Sequence, residues 1–196
     1  PGPVEDAGVL ARITGLLAGI RDSAGGAPVM TLGVVLGKPD GAAILADDCG
    51  AYHRSTLDEP RYAPIVAAIM RGCAEGVFAL QRHGLEHCWP DSLLGQARRD
   101  AGLRAWLADP GARSEALPPA LQSRWVDAAV LPSRALQEAE IRAAVIEEAV
   151  LFRRVFGDAP EVAVPNTFVW LSVVALSSAP SPVPPLVTPD RPPHPP

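Results

Sequence analysis

The sequence has very little lysine and cysteine, and the pattern of both excludes two classes of protein. Lys38 is the only lysine among 196 residues, and the arginines are scattered among acidic residues. With a net charge of -5, the chain has no basic surface of the kind that binds nucleic acid. Cys49, Cys73 and Cys88 are an odd number without a CxxC pair, which indicates reduced thiols and a cytoplasmic location instead of a disulfide framework.

Long apolar runs and several familiar motifs are also missing. The apolar run over residues 167–175 is shorter than the roughly 20 residues that a membrane-spanning helix needs. We therefore expect no membrane partner, and the residues before the first predicted helix do not have the pattern of a signal peptide. The chain contains no GxSxG, Walker A or dinucleotide-binding motif, so serine-nucleophile and nucleotide chemistry have no support in the sequence.

The composition indicates one folded domain followed by a proline-rich tail. A hydrophobic content of 48% and a charged content of 20% are typical of a folded chain. Residues 179–196 contain nine prolines in eighteen positions, which is incompatible with a helix or a strand ladder. We therefore predict an α/β domain over residues 1–178 and a disordered tail over residues 179–196. The oligomeric state is left open.

Helical and strand-like apolar patterns alternate along the chain. Helices are expected over residues 5–22, 65–73 with Pro64 in the first turn, 91–108 with a break near Gly102, and 134–156 between a Ser133 cap and a Gly157 stop. Short strands are expected over residues 29–36, buried on both faces, and over residues 76–81 and 161–164; residues 37–60 are expected to be mostly loop. This alternation predicts an α/β fold with parallel strands.

Two of the four histidines, His83 and His87, lie four positions apart just beyond a predicted strand, with Glu86 between them. Imidazole is the commonest protein ligand for zinc-like metals, and two histidines at short spacing suit one ion. The pair therefore predicts a metal site. A purely structural interpretation stays open, in which one histidine is a hydrogen-bonded core residue and the other lies on the surface.

The segment from His83 to Pro90 resembles the metal-binding H-[ST]-x-x-H-P motif of the polysaccharide deacetylase family. The histidine spacing matches, although Gly84 replaces the serine or threonine and the proline comes two positions late. Residues 162–170 resemble the later R-x-P-[FY] motif of that family, with Pro165 and nearby aromatic residues but no arginine.

This resemblance implies a partial deacetylase-like (β/α) barrel with parallel strands. It also implies zinc held by His83 and His87, and hydrolysis of an acetamide or ester bond on a carbohydrate substrate. The family's T-F-D-D motif, which carries the base and a metal ligand on the first strand, is missing, and we expect it upstream of Pro1. Asp47 and Asp48 are possible substitutes, but they follow the strand expected over residues 29–36 instead of preceding the first helix, so their order is wrong.

Aromatic residues are candidates for sugar binding. Tyr52 is predicted to lie at the mouth of the site, and Trp89 and Trp170 to stack on a sugar ring. Each tryptophan is equally well explained by packing, because a large aromatic ring buries much apolar area in a core.

Two other functions stay open. Residues 83–87 also satisfy the H-x-x-E-H pattern of inverzincin metalloproteases, in which Glu86 is the general base on a helix and a downstream glutamate completes the zinc site. The glutamates of suitable type are Glu140, Glu147, Glu148 and Glu161. Alternatively, the chain is a non-catalytic fragment or binding module.

Overall fold

Helices and short strands alternate in the computed structural model, which describes residues 6–122, 126–127, 134–157 and 163–164. The helices are α1 (Ala7–Ala18), α2 (Gly41–Ala46), α3 (Ala63–Ala74), α4 (Pro90–Ala97), α5 (Ala101–Ala108) and α6 (Glu138–Phe156). The strands are β1 (Met30–Val34), β2 (Gly37–Pro39), β3 (Arg54–Thr56), β4 (Phe78–Arg82), β5 (Val126–Asp127) and β6 (Arg134–Ala135). The proline-rich segment 179–196 lies outside the described residues.

Strands β1 and β4 form a parallel pair, in register from Met30 opposite Phe78 to Val34 opposite Arg82. A parallel bridge joins Arg82 to Ala163, so a third segment runs alongside the end of β4. The predicted α/β fold with parallel strands is thus confirmed. The described residues contain three two-stranded sheets, of which β1–β4 is the parallel one, and they form no closed barrel.

The main core lies between the β1–β4 pair and helices α1, α3 and α6. The rings of Phe152 and Phe156 of α6 are in contact, with centroids 4.7 Å apart and planes tilted by 45°, and they belong to the same cluster as Phe78. The predicted apolar face of α6 is confirmed, because Ile141 and Val145 are buried together with the two phenylalanines. Burial of this face holds α6 against β4, the strand that the paired histidines follow.

The ends of three helices follow from local chemistry. The Asp6 side chain accepts hydrogen bonds from the first free N–H groups of α1, and Pro64 occupies the first turn of α3 as predicted. Gly157, at φ 88°, ends α6 in a backbone conformation that disfavours any side chain.

The segment 37–60 was predicted to be mostly loop, and this prediction is wrong. Strands β2 and β3 form an antiparallel hairpin, and α2 lies between them. The Asp40 side chain caps α2 by accepting a hydrogen bond from Ala43 N at 3.1 Å. Elements of three to six residues are too short to show a recognisable periodicity, which explains why the sequence pattern missed them.

The break expected near Gly102 in the helix over 91–108 is confirmed, since α4 ends at Ala97 and α5 begins at Ala101. The Asp100 side chain caps α5 by accepting hydrogen bonds from Gly102 N and Leu103 N. The start of the last helix differs from the prediction. Helix α6 begins at Glu138 instead of near Ser133, because Gln137 and Glu140 form a reciprocal capping box.

The predicted burial of the first strand on both faces is wrong for its first half. Val34 is buried, but Met30 and the preceding Val29 are exposed. Among the described residues β4 is the only strand paired with β1, so β1 is an edge strand in this part of the chain. None of the described helices combines the length and the apolar character required to cross a membrane.

Candidate functional site

His83 directly follows β4, at the edge where the described parallel segments end. Its backbone N–H donates to Val34 O at 3.0 Å, and its ring Nδ1 lies 2.9 Å from Val164 O. Val164 in turn donates its N–H to Arg82 O at 2.8 Å. The carboxyl edge of parallel strands is where α/β proteins commonly place their ligands. The predicted position of the histidine pair, just beyond a strand end, is confirmed.

The two imidazole rings are in contact. The ring centroids of His83 and His87 lie 4.9 Å apart, with the planes nearly perpendicular at 79°. Both rings are half-buried. The spacing in the sequence therefore does bring the two side chains together, although their role as metal ligands remains a prediction.

The turn between the histidines is not helical. Gly84 has φ 99°, a conformation that favours glycine, and its carbonyl oxygen accepts a hydrogen bond from Leu36 N at 3.2 Å. Leu85 is buried and its carbonyl oxygen accepts from Gly37 N at 2.7 Å. These bonds hold the turn against the start of β2. The helix that the metalloprotease interpretation requires is absent from residues 83–87, so the geometry does not favour that interpretation.

His87 carries a buried ring nitrogen. Its Nε2 has no hydrogen-bond partner among the described residues. Burial and then the neighbouring His83 lower the pKa of His87 below its usual value, and Glu115 partly opposes this shift. The ring is therefore biased toward the neutral form, which is the form that ligates metals.

The side chain of Glu86 is buried, with only 1% of it exposed to solvent. Its Oε1 forms an ion pair with Arg54 Nε at 2.6 Å. Arg54 also forms an ion pair with Glu147 of α6, and its guanidinium lies 5.6 Å from the ring centroid of Tyr52. Burial alone would lower the pKa of Arg54, but the charges of Glu86 and Glu147 raise it above its ordinary value.

A second glutamate of α6 reaches the turn. Glu148 is buried, and its Oε1 accepts a hydrogen bond from Gly84 N at 3.1 Å. Of the four glutamates that the sequence offered by type, Glu148 therefore contacts the histidine turn directly, and Glu147 is linked to it through Arg54. Glu140 caps α6 instead, and Glu161 lies outside the described residues.

The predicted sugar-binding aromatic residues occupy different surroundings. Tyr52 is half-buried beside Arg54, with which it makes the cation–π contact. Trp89 packs against the small cluster around Ile141 and Val145, so it has a structural role whether or not it touches a sugar. Trp170 lies outside the described residues.

Asp47 and Asp48 have partners away from the histidine pair. Asp47 lies 3.7 Å from His53 Nε2, and Asp48 pairs with Arg104 at 2.9 Å. Over the described ranges, no group of three or more His, Cys, Asp or Glu side chains has the arrangement of a metal site. In this part of the chain, the candidate metal ligands at the site are thus the two imidazoles of His83 and His87.

Sequence reasoning missed two participants, Arg54 and the carbonyl group of Val164. No sequence signal marks either one, because the contact between Arg54 and Glu86 joins separate elements and a backbone carbonyl has no side-chain signature. Comparison of the chain with protein-family models, with curated proteins and with solved structures gave no match.

Proposed function

We propose that this chain is a metal-dependent hydrolase of the polysaccharide deacetylase type, which cleaves an acetamide or ester bond of an acetylated carbohydrate. The observation that carries the proposal is the buried, unpartnered Nε2 of His87 beside the ring of His83, at the carboxyl edge of parallel strands. The absence of a partner for this atom applies to the described residues.

The chemistry of the two imidazoles fits zinc. The contact between His83 Nδ1 and Val164 O leaves the Nε2 lone pair of His83 for a metal. Metal-ligating histidines usually donate their other ring N–H to a carbonyl or carboxylate in this way. In the proposed site, His83 and His87 are the protein ligands that the described part of the chain supplies.

The neighbourhood of His83 also agrees with the resemblance seen in the sequence. Val164 immediately precedes Pro165, in the segment similar to the second deacetylase motif, and it contacts the first histidine of the segment similar to the first motif. Two motif-like segments far apart in sequence thus meet at one sheet edge. This meeting supports a deacetylase-like arrangement of parallel strands, of which β1, β4 and residues 163–164 would be one part.

The chain's residues would divide the work of hydrolysis. Zinc, when bound, supplies a Lewis acid that polarises the carbonyl group and lowers the pKa of water. His83 and His87 hold and orient that ion, and we expect Tyr52, Trp89 and Trp170 to contact the sugar. Glu86 remains a candidate general base by type, but its burial and its ion pair with Arg54 suit a carboxylate that is held in place better than one that moves protons.

The test combines metal binding with turnover. Zinc and cobalt binding are measured by calorimetry on the wild type and on the His83→Ala/His87→Ala double variant. Release of acetate is then followed on an N-acetylated sugar oligomer. Metal binding that disappears in the double variant, with zinc-dependent acetate release, is the expected result. A wild type that binds neither ion would contradict the proposal.

His53 provides a matched control. It is half exposed and lies in the α2–β3 connection, beside Asp47 instead of the histidine pair. His53→Ala removes one imidazole from the chain without touching the proposed site. We expect this variant to keep the metal affinity of the wild type, and a loss equal to that of the double variant would show that binding is not specific to His83 and His87.

A further inference from the structure

We infer that Arg54 is a positioning residue for the histidine pair, because it holds the buried carboxylate of Glu86 and thereby fixes the conformation of the turn 83–87. The inference rests on the proposed function, in which this conformation orients His83 and His87 toward one metal ion. It assigns a role to a residue that no sequence motif marks.

The position of Glu86 makes its side chain an anchor. It directly precedes His87, and it is 1% exposed. If the ion pair with Arg54 were broken, Glu86 would lose a close opposite charge while it remained in a poorly hydrated place, which is unfavourable. The ion pair therefore restricts the side chain of Glu86, and with it the backbone conformation of the residue that precedes His87.

Arg54 itself is held from several sides. It begins β3, pairs with Glu86 through Nε, and pairs with Glu147 of α6 through a terminal nitrogen. The ring of Tyr52 lies within cation–π distance. A guanidinium is planar and rigid, so its two nitrogens bind Glu86 and Glu147 at a fixed angle to each other. The single ammonium of lysine would restrict the relative positions of β3, α6 and the turn less.

A second tie from α6 acts on the same turn. Glu148 accepts the hydrogen bond of Gly84 N, while Glu147 binds Arg54. Two adjacent residues of α6 are thus attached to the turn. Glu148 binds its start at Gly84, and Glu147 is linked to Glu86 near its end through Arg54. The two histidines flank these attachments, because His83 directly precedes Gly84 and His87 directly follows Glu86, so the geometry of the pair depends on both.

The chain offers a matched control arginine. Arg154 of α6 pairs with Asp58 at 3.0 Å, so it also joins α6 to the segment that follows β3. Its ion-pair partner is thus Asp58, whereas Glu86 and Glu147 pair with Arg54. A change at Arg154 tests whether losing any ion pair between these elements is enough to disturb the site.

The experiment compares Arg54→Gln, the double variant Arg54→Gln/Glu86→Gln, Arg54→Lys and the control Arg154→Gln. The double variant removes both charges of the Arg54–Glu86 pair together, so it replaces the single variant if the loss of Arg54 alone prevents folding. Two quantities are measured on each protein. One is the zinc affinity by calorimetry, and the other is the set of imidazole NMR signals of His83 and His87 in the metal-free protein.

We expect the double variant to bind zinc about 10- to 100-fold more weakly than the wild type, the usual effect of losing a partner that orients metal ligands. The ring signals of His87 should shift or split in the same variant while its secondary structure is retained. Arg54→Lys should recover part of the affinity, because the ammonium still neutralises Glu86, and Arg154→Gln should match the wild type.

Wild-type zinc affinity and unchanged ring signals in the double variant would overturn the inference. Equal losses in Arg154→Gln and the double variant would also overturn it. If the wild type itself binds no zinc, the proposed function fails, and the NMR signals of the metal-free protein still decide whether Arg54 positions His87. The two failures are therefore distinguishable.

Discussion

His83 Nδ1 and Val164 O lie 2.9 Å apart although 81 positions separate the two residues in the sequence. A carbonyl oxygen only accepts hydrogen bonds, so Nδ1 must carry the proton. We predict that neutral His83 is the Nδ1–H tautomer. Two-bond ¹H–¹⁵N correlation spectra of the metal-free protein check this directly, and a dominant Nε2–H tautomer of His83 would contradict the observed contact.

Removal of the Glu148 side chain should destabilise the protein. In Glu148→Ala the buried N–H of Gly84 loses its acceptor, which typically costs about 1–3 kcal/mol in the free energy of unfolding. Glu148→Gln keeps an acceptor oxygen, so we expect a smaller loss. Urea denaturation of both variants measures the difference, and equal losses would show that the hydrogen bond to Gly84 is not what makes this residue important.

A methyl group at position 72 should disturb the packing of α3 on β4. The Cβ atom of Gly72→Ala would overlap the buried ring of Phe78, whereas the Cβ atom of Gly95→Ala in α4 meets nothing within 4 Å. Overpacking of a core costs about 1–3 kcal/mol, so Gly72→Ala should lower the melting temperature. Gly95→Ala should be neutral or stabilise the protein by up to about 1 kcal/mol through helix propensity.

The same pair of variants also separates packing from backbone effects. Both glycines lie inside helices, and neither has a positive φ. A loss of stability in Gly95→Ala comparable to that in Gly72→Ala would mean that the contact with Phe78 is not the cause. Thermal unfolding followed by circular dichroism provides the comparison.

The stability of the metal-free protein should fall in mild acid. The pKa of His87 is lower in the folded chain than its usual value of 6.5, so below that pH the unfolded chain binds a proton that the folded chain resists. The free energy of unfolding should therefore decrease from about pH 6.5 downward and level off below the folded pKa, with no contribution from His87 above that range.

Urea denaturation of the wild type and of His87→Gln over this pH range tests the prediction. The variant lacks the titrating ring, so its stability should depend less steeply on pH. Parallel curves for the two proteins would show that His87 does not cause the loss in acid.

Thiol labelling should distinguish the three cysteines, none of which forms a disulfide bond. Cys49 and Cys88 are buried, whereas Cys73 is half-buried and burial raises its pKa. We predict that a thiol reagent modifies Cys73 first in the native protein, slowly at neutral pH and faster as the pH rises. Cys73→Ser should abolish this phase, and rapid labelling of the other two thiols would contradict their burial.

Several long elements of the fold were predictable from the sequence. Helices α1, α3 and α6 and strand β4 have repeated apolar positions, and burial of one face produces this repetition. The hairpin β2–β3 and the short helix α2 were not predictable, because three to six residues contain less than two periods of any pattern. Their formation depends on the Asp40 cap and on cross-strand pairing.

By itself the sequence determined that His83 and His87 lie close together, since four positions just beyond a strand keep two side chains within reach of each other. It also placed them at a strand end, because the apolar run of β4 stops there. Only the tertiary structure decided that Val164, Arg54 and Glu148 surround the pair. Contacts across such sequence distances arise when helices and strands bury their apolar faces together, and that packing fixes which polar groups meet.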